Sequence, residues 1–254
     1  MLKQIHTTLS RDFSTLLLHR RFWGIIALWC GLCGLLFFLY LEDFMSIQPV
    51  LRAKNFRYGV TDLVLIPYIK SMGYAAVLLV TTLCAKLGYL ENFSAFAQLY
   101  RSLCPNPLHY FSAKLIYIVL LSAVAVITIA APAVISGLFF DYNGSRVLLL
   151  LIGLLALLVS VGLLTFVFSQ TINHSVMAVL LSMLFIGLSE LAAKFIVEPV
   201  WVTPIIAFFS PVSHLQQIAN GVVTSSHVIF FTTFIILLVI IAVRQFNRTY
   251  FFSR

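Results

Sequence analysis

Long apolar runs separated by short polar breaks dominate this chain, and the length of the runs decides its fold class. A hydrocarbon core about 30 Å thick is crossed by about 20 apolar residues in a helix. The pattern predicts spans over 22–41, 66–87, 112–139, 147–168, 176–193 and 228–243. The third contains Pro132, whose missing amide proton predicts a bend or local opening there. Residues 42–65 and 88–111 are mixed and polar and read as segments outside the membrane. The Asp141-Tyr142-Asn143-Gly144 turn and the polar stretch 169–175 separate the later spans.

Two further segments carry a weaker pattern. Within 2–21, Ile5, Leu9, Phe13, Leu16 and Leu17 recur at helical spacing among Lys3, Arg11, Asp12, His19 and Arg20. That predicts an amphipathic helix lying in the membrane interface. Arg20 and Arg21 before an apolar run resemble the start of a signal peptide, but the run is too long and lacks a small-residue cleavage site. It reads as a retained first span. Residues 194–225 hold Pro199, Pro204 and Pro211 and suit short re-entrant helices on the outer side. The expected fold is an all-α integral membrane protein with six transmembrane helices. One unit covers 1–254, divided into an interfacial elbow helix (1–21), the bundle (22–243) and a cytoplasmic tail (244–254).

Composition agrees with this: 61% of the 254 residues are hydrophobic and 9% charged, against about 25% charged in a soluble domain. The net charge of +8 sets orientation and does not point to nucleic acid. With six spans the termini and loop 88–111 share one side, which holds ten of the sixteen Lys and Arg. Both termini are expected to be cytoplasmic. The other side carries Arg52, Lys54, Arg57, Lys70, Arg146 and Lys194 beside Glu42, Asp43, Asp62, Asp141, Glu190 and Glu198. Cys30, Cys33, Cys84 and Cys104 lie in apolar segments or the inner loop, a poor disulfide framework. Ala27, Cys30, Gly31 and Gly34 in the first span have the small-x-x-x-small spacing of closely packed helices.

No G-x-x-x-x-G-K-[ST], H-E-x-x-H or G-x-S-x-G occurs. The chain is therefore not expected to be an enzyme, to hold a cofactor or to bind a metal; its six histidines are scattered without i, i+3 or i+4 spacing. Three segments remain as candidates. Between Glu91 and Cys104, Phe93, Phe96, Leu99, Tyr100 and Leu103 alternate with Asn92, Gln98 and Arg101 as in an amphipathic helix closed by Pro105 and Pro107. It suits either a surface for a soluble partner or an anchor in the interface. Ser210-Pro211-Val212-Ser213-His214, followed by Gln216, Gln217, Asn220 and Gly221, could line an outer gate or substrate path. Its local chemistry also suits a helix capped by Ser210 and Ser213 and ended by Gly221. Glu190 and Lys194, one turn apart, could face a water-filled path or neutralise each other.

These residues resemble a family, the ABC-2 type permeases of ABC transporters, most closely the gliding-motility-type branch. The resemblance covers nearly the whole chain. It rests on Met1-Leu2-Lys3-Gln4-Ile5, on Phe168-Ser169-Gln170-Thr171-Ile172-Asn173-His174 and most specifically on Ser210-Pro211-Val212-Ser213-His214 with Asn220-Gly221-Val222-Val223. It implies a permease subunit of a bacterial inner-membrane exporter, paired with an identical or homologous permease in membrane lipid. Two cytoplasmic ATPase subunits would carry ATP and Mg. It also implies a coupling helix in the second loop, with Glu91, Phe96, Leu99, Tyr100 and Arg101 as the ATPase contact. Glu91 matches the start of the family's acidic motif and Pro105 its end, whereas Asn92, Phe93, Ser94, Ala95 and Phe96 depart from the charged residues and glycine usual there. A haem- or cytochrome-biogenesis permease and a membrane assembly scaffold without transport are the alternative functions.

Overall fold

The computed structural model describes Ser10 and residues 20–53, 59–93, 107–137, 139–140, 142–172, 174–195 and 208–251. These residues form helices and short connections, with no strand among them. In chain order the helices are α1 (Arg20–Ala53), a π-helical turn (Thr61–Leu65) leading into α2 (Ile66–Phe93), α3 (Pro107–Ser136), α4 (Gly144–Thr171), α5 (Ser175–Phe195), the short α6 (Pro211–Ala219) and α7 (Ser225–Phe251). All except α6 are long and apolar enough to cross a membrane, which makes six candidate spans.

The helices outrun the apolar runs. At 1.5 Å per residue α1 is about 51 Å long, well beyond the hydrocarbon core. It continues through Glu42 and Asp43 to Ala53 with Pro49 inside. The expected outer loop 42–65 thus contracts, because polar residues end an apolar run without breaking a helix; Ser46 Oγ even bonds back to the Asp43 carbonyl at 2.8 Å. Loop 88–111 contracts in the same way. α2 runs on through Glu91 to Phe93, and Pro107, expected to close an amphipathic helix, instead opens α3. Proline suits that first position because its missing N–H has no partner to lose there. α3 continues past Pro132 to Ser136, and α7 carries the basic tail as helix to Phe251. Apart from Ser10, Arg20 and Arg21, the elbow helix expected over 2–21 lies outside the described residues, as do residues 94–106 and 196–207.

α4 is the central post: 67% of its most apolar 18-residue stretch is buried, and it touches α2, α3, α5, α6 and α7. Glycine permits the approach. A Cβ on Gly162 of α4 would stand 2.8 Å from Ile118 Cγ2 of α3 and 3.2 Å from both Cys84 Sγ and Val80 Cγ1 of α2. One on Gly153 would meet Ile218 Cδ1 of α6 at 3.0 Å.

The first span behaves differently from its small-residue spacing. α1 is only 11% buried across its span. Among the described residues nothing lies within 4 Å of a Cβ placed on Gly24, Gly31 or Gly34, and Cys30 is exposed. α1 is held by other groups, with Trp29 Nε1 donating to Thr128 Oγ1 of α3 at 2.8 Å and Tyr40 sharing a 2.7 Å bond with Ser71 of α2. Ser122, Ser160, Thr165 and Ser182 satisfy their buried hydroxyls on carbonyls one turn back, as apolar surroundings require.

Candidate functional site

The short helix α6 lies at one end of the bundle, beside the starts of α2, α4 and α7 and the end of α5. The sequence builds α6 locally. Ser210, fully buried, takes extended backbone angles, and its side chain accepts the Ser213 N–H at 3.3 Å. Pro211 occupies the first turn. At the other end Gly221 N–H reaches the Ile218 carbonyl and Val222 N–H the Gln217 carbonyl, both at 3.0 Å. Gly221 has φ +86°, the left-handed conformation of a Schellman stop that glycine adopts without a Cβ clash. The capping arrangement read from Ser210, Ser213 and Gly221 is therefore present.

Four neighbouring helices send polar side chains to this short helix. From α4, Arg146 Nη1 donates to Asp62 Oδ1 at 2.6 Å, while its Nη2 donates to the Ala219 carbonyl at 3.2 Å. From α2, Lys70 Nζ donates to Asn220 Oδ1 at 3.3 Å. Gln216 Nε2 donates to Glu190 Oε1 of α5 at 3.1 Å and to the Tyr74 hydroxyl of α2 at 3.0 Å. The π-helical turn brings a further tie, with the Thr61 hydroxyl accepting the Asn143 N–H at 2.9 Å. Asn143 in turn caps α4 by accepting the Arg146 N–H at 3.3 Å. The fourth helix is α7, whose His227 meets His214 with Nδ1 atoms 2.8 Å apart. His214 Nε2 faces the Phe208 carbonyl at 2.8 Å and His227 Nε2 the Val222 carbonyl at 3.1 Å. The His214 ring stacks on Phe230 at 4.3 Å between centroids. Burial holds His214 below its usual 6.5; its bond to Phe208 opposes this, and His227 adds to it.

Of the residues expected at an outer gate, Ser210, Pro211, Ser213, His214, Gly221 and Glu190 come together around α6. Ser210, Pro211 and His214 are buried, so they form a wedge's anchored side and not an open lining. Lys194 is in α5, and its side chain lies outside the described residues; the contact shown for Glu190 is Gln216. Glu91 is placed near the opposite end, on the last turn of α2, while Phe96, Leu99, Tyr100 and Arg101 lie outside the described residues. Sequence reading passed over Asp62, Lys70, Tyr74, Arg146 and His227 as site residues. The only signal for them was their position at the outer ends of predicted spans, which many loop residues share. Among the described residues, no group of three His, Cys, Asp or Glu could hold a metal ion. Comparison of the chain with protein-family models and with curated proteins finds no match to either.

Proposed function

We propose that this chain is the membrane-spanning subunit of an ATP-driven exporter in a bacterial inner membrane, with both termini in the cytoplasm. It works beside a second permease, identical or homologous, and is powered by two cytoplasmic ATPase subunits that hold ATP and Mg. The observation that carries the reading is the unlike chemistry of the two ends of a six-helix bundle. At one end a short capped helix is tied by polar side chains to α2, α4, α5 and α7. At the other, α2 ends at Phe93 in the amphipathic 91–104 sequence. A helix bearing on several spans at once couples their movements, and a soluble subunit pressing on 91–104 would act on α2 directly.

ATP can drive such a cycle only by favouring one arrangement of the spans over another through the partner. Glu91 and Arg101 are the contact residues in this reading. Co-expression with an ATPase encoded nearby, followed by purification in detergent, provides the test. The exporter reading expects a stable complex whose ATP turnover responds to the permease, and expects Glu91→Ala with Arg101→Ala to abolish that response. A chain that purifies alone and leaves ATP turnover unchanged overturns the reading and leaves an assembly scaffold as the better one.

A further inference from the structure

The His214 and His227 rings pose a proton-counting problem that their neighbours resolve. Both Nε2 atoms face backbone carbonyls, at 2.8 and 3.1 Å. A carbonyl oxygen can only accept, so each Nε2 carries a proton. A neutral imidazole has one N–H, and the other nitrogen is then a bare acceptor. Two neutral rings so oriented would point two lone pairs at each other across 2.8 Å, which is repulsive. Reversing one tautomer repairs that contact but sets a bare Nε2 against a carbonyl. One additional proton removes both conflicts, because one Nδ1–H then donates to the other Nδ1 and all three bonds are satisfied.

We propose that His214 and His227 form a proton-binding site that holds a single shared proton between their Nδ1 atoms, fastening α6 to the start of α7 as a singly charged pair. The surroundings suit one positive charge. His214 stacks on the face of Phe230 at 4.3 Å and 23°, and the negative face of an aromatic ring attracts a cation. Two carbonyl oxygens complete the shell. The separation also excludes a bridging metal, since two nitrogens about 2.0 Å from one tetrahedral ion stand well over 3 Å apart. The rings are 3% and 2% exposed, so the charge is held in a nearly dry site and depends on all of these partners.

The other titratable groups around α6 are engaged elsewhere. Lys70 bonds Asn220, Arg146 bonds Asp62 and the Ala219 carbonyl, and Glu190 and Tyr74 bond Gln216. Among the described residues, the rings' hydrogen-bond partners are the two carbonyls and each other. A second proton would place two cations in contact, and burial and the neighbouring ring both set His214 against it. Burial opposes the first proton as well, so that proton is held by the two carbonyls, the Nδ1–Nδ1 bond and the Phe230 face together. As pH falls well below the ordinary histidine value of 6.5, the second proton breaks the Nδ1 bond and loosens α6 from α7. This holds whether or not the chain is part of an exporter.

The experiment is ¹⁵N spectroscopy of the histidine ring nitrogens of the full chain in lipid nanodiscs, from pH 4 to 9. His214→Gln and His227→Gln serve to assign the two signals. At pH 7.5 the proposal expects three N–H protons on the four ring nitrogens of the pair, where two ordinary histidines would carry about two. It also expects a distinct second uptake below 6.5, the direction in which burial moves His214. Each Gln variant should return the remaining histidine to a single neutral form at pH 7.5. A neutral pair at pH 7.5 overturns the proposal, as do two coincident titrations near 6.5. The decisive spectrum is that of the unmodified chain, so the test stands even where a variant fails to fold.

Discussion

Arg146 joins three parts of the molecule with one planar group. Its fork reaches Asp62 beside α2 and the carbonyl at the end of α6 while its own backbone starts α4. The ion pair is partly exposed, with side chains 31% and 41% accessible, so it contributes at most about 1 kcal/mol. The carbonyl bond adds about 1 kcal/mol. Arg146→Met should therefore lower stability by about 1–2 kcal/mol, seen as an earlier thermal midpoint in detergent. Arg146→Lys should recover only part, since an ammonium lacks the rigid fork that serves two acceptors. Gly221 is the second exposed residue whose change should register. At φ +86° any Cβ is strained, and Gly221→Ala should cost about 1–2 kcal/mol. The space itself is adequate, as the nearest Arg146 atom would be 3.6 Å away. Faster proteolysis across 220–224 would report the loss.

At the scale of elements, the same residue type means different things on different helices. Gly162 lies where α4 meets α2 and α3, and Gly31 lies on an open face of α1. Gly162→Ala pushes a methyl group to 2.8 Å from Ile118, so it should cost about 1–3 kcal/mol by overpacking. Gly31→Ala meets nothing within 4 Å and should leave the midpoint unchanged or raise it, since alanine favours a helix by up to about 1 kcal/mol. Thermal midpoints of the two variants measured side by side check the contrast; equal losses would contradict the packing described for α4. The small-residue spacing in the first span was legible. That Gly24, Gly31 and Gly34 meet no neighbour among the described residues was not, because spacing shows which residues share a face and not what lies opposite.

For the whole molecule, six helices are long and apolar enough to cross, and six crossings would put Ser10 and Ser253 on one side of the membrane and the α6–α7 connection on the other. With Cys30, Cys33, Cys84 and Cys104 replaced by serine, Ser10→Cys and Ser253→Cys should react with a membrane-impermeant maleimide from the same face, which the proposed orientation makes the cytoplasmic one. Thr224→Cys, exposed just before α7, should react from the opposite face in intact cells. Labelling of all three from one side would require an even number of crossings between every pair, whereas five spans separate Ser10 from Thr224 and one separates Thr224 from Ser253, and would contradict the six-span arrangement. The exposed apolar surface of the outer helices, including Leu28 of α1, Leu184 of α5 and Ile236 of α7, is what a bilayer covers.

Sequence alone determined the solvent, the approximate number and place of the spans and the capped form of α6. Each of these depends on residues close together in the chain: a run of about 20 apolar residues, or a serine, a proline and a glycine at the two ends of one short helix. The lengths of the helices were less legible, because Glu42, Asp43 and Glu91 end apolar runs while the backbone stays helical past them. Only the tertiary structure decided which polar residues meet. Arg146 and Asp62 are 84 residues apart, Lys70 and Asn220 150 apart, and even His214 and His227 13 apart. Hydropathy is a property of each window by itself, whereas these contacts depend on which helices are neighbours and how each is rotated. That rotation is set by side-chain fit around α4, where Gly153 and Gly162 let α6, α2 and α3 close in.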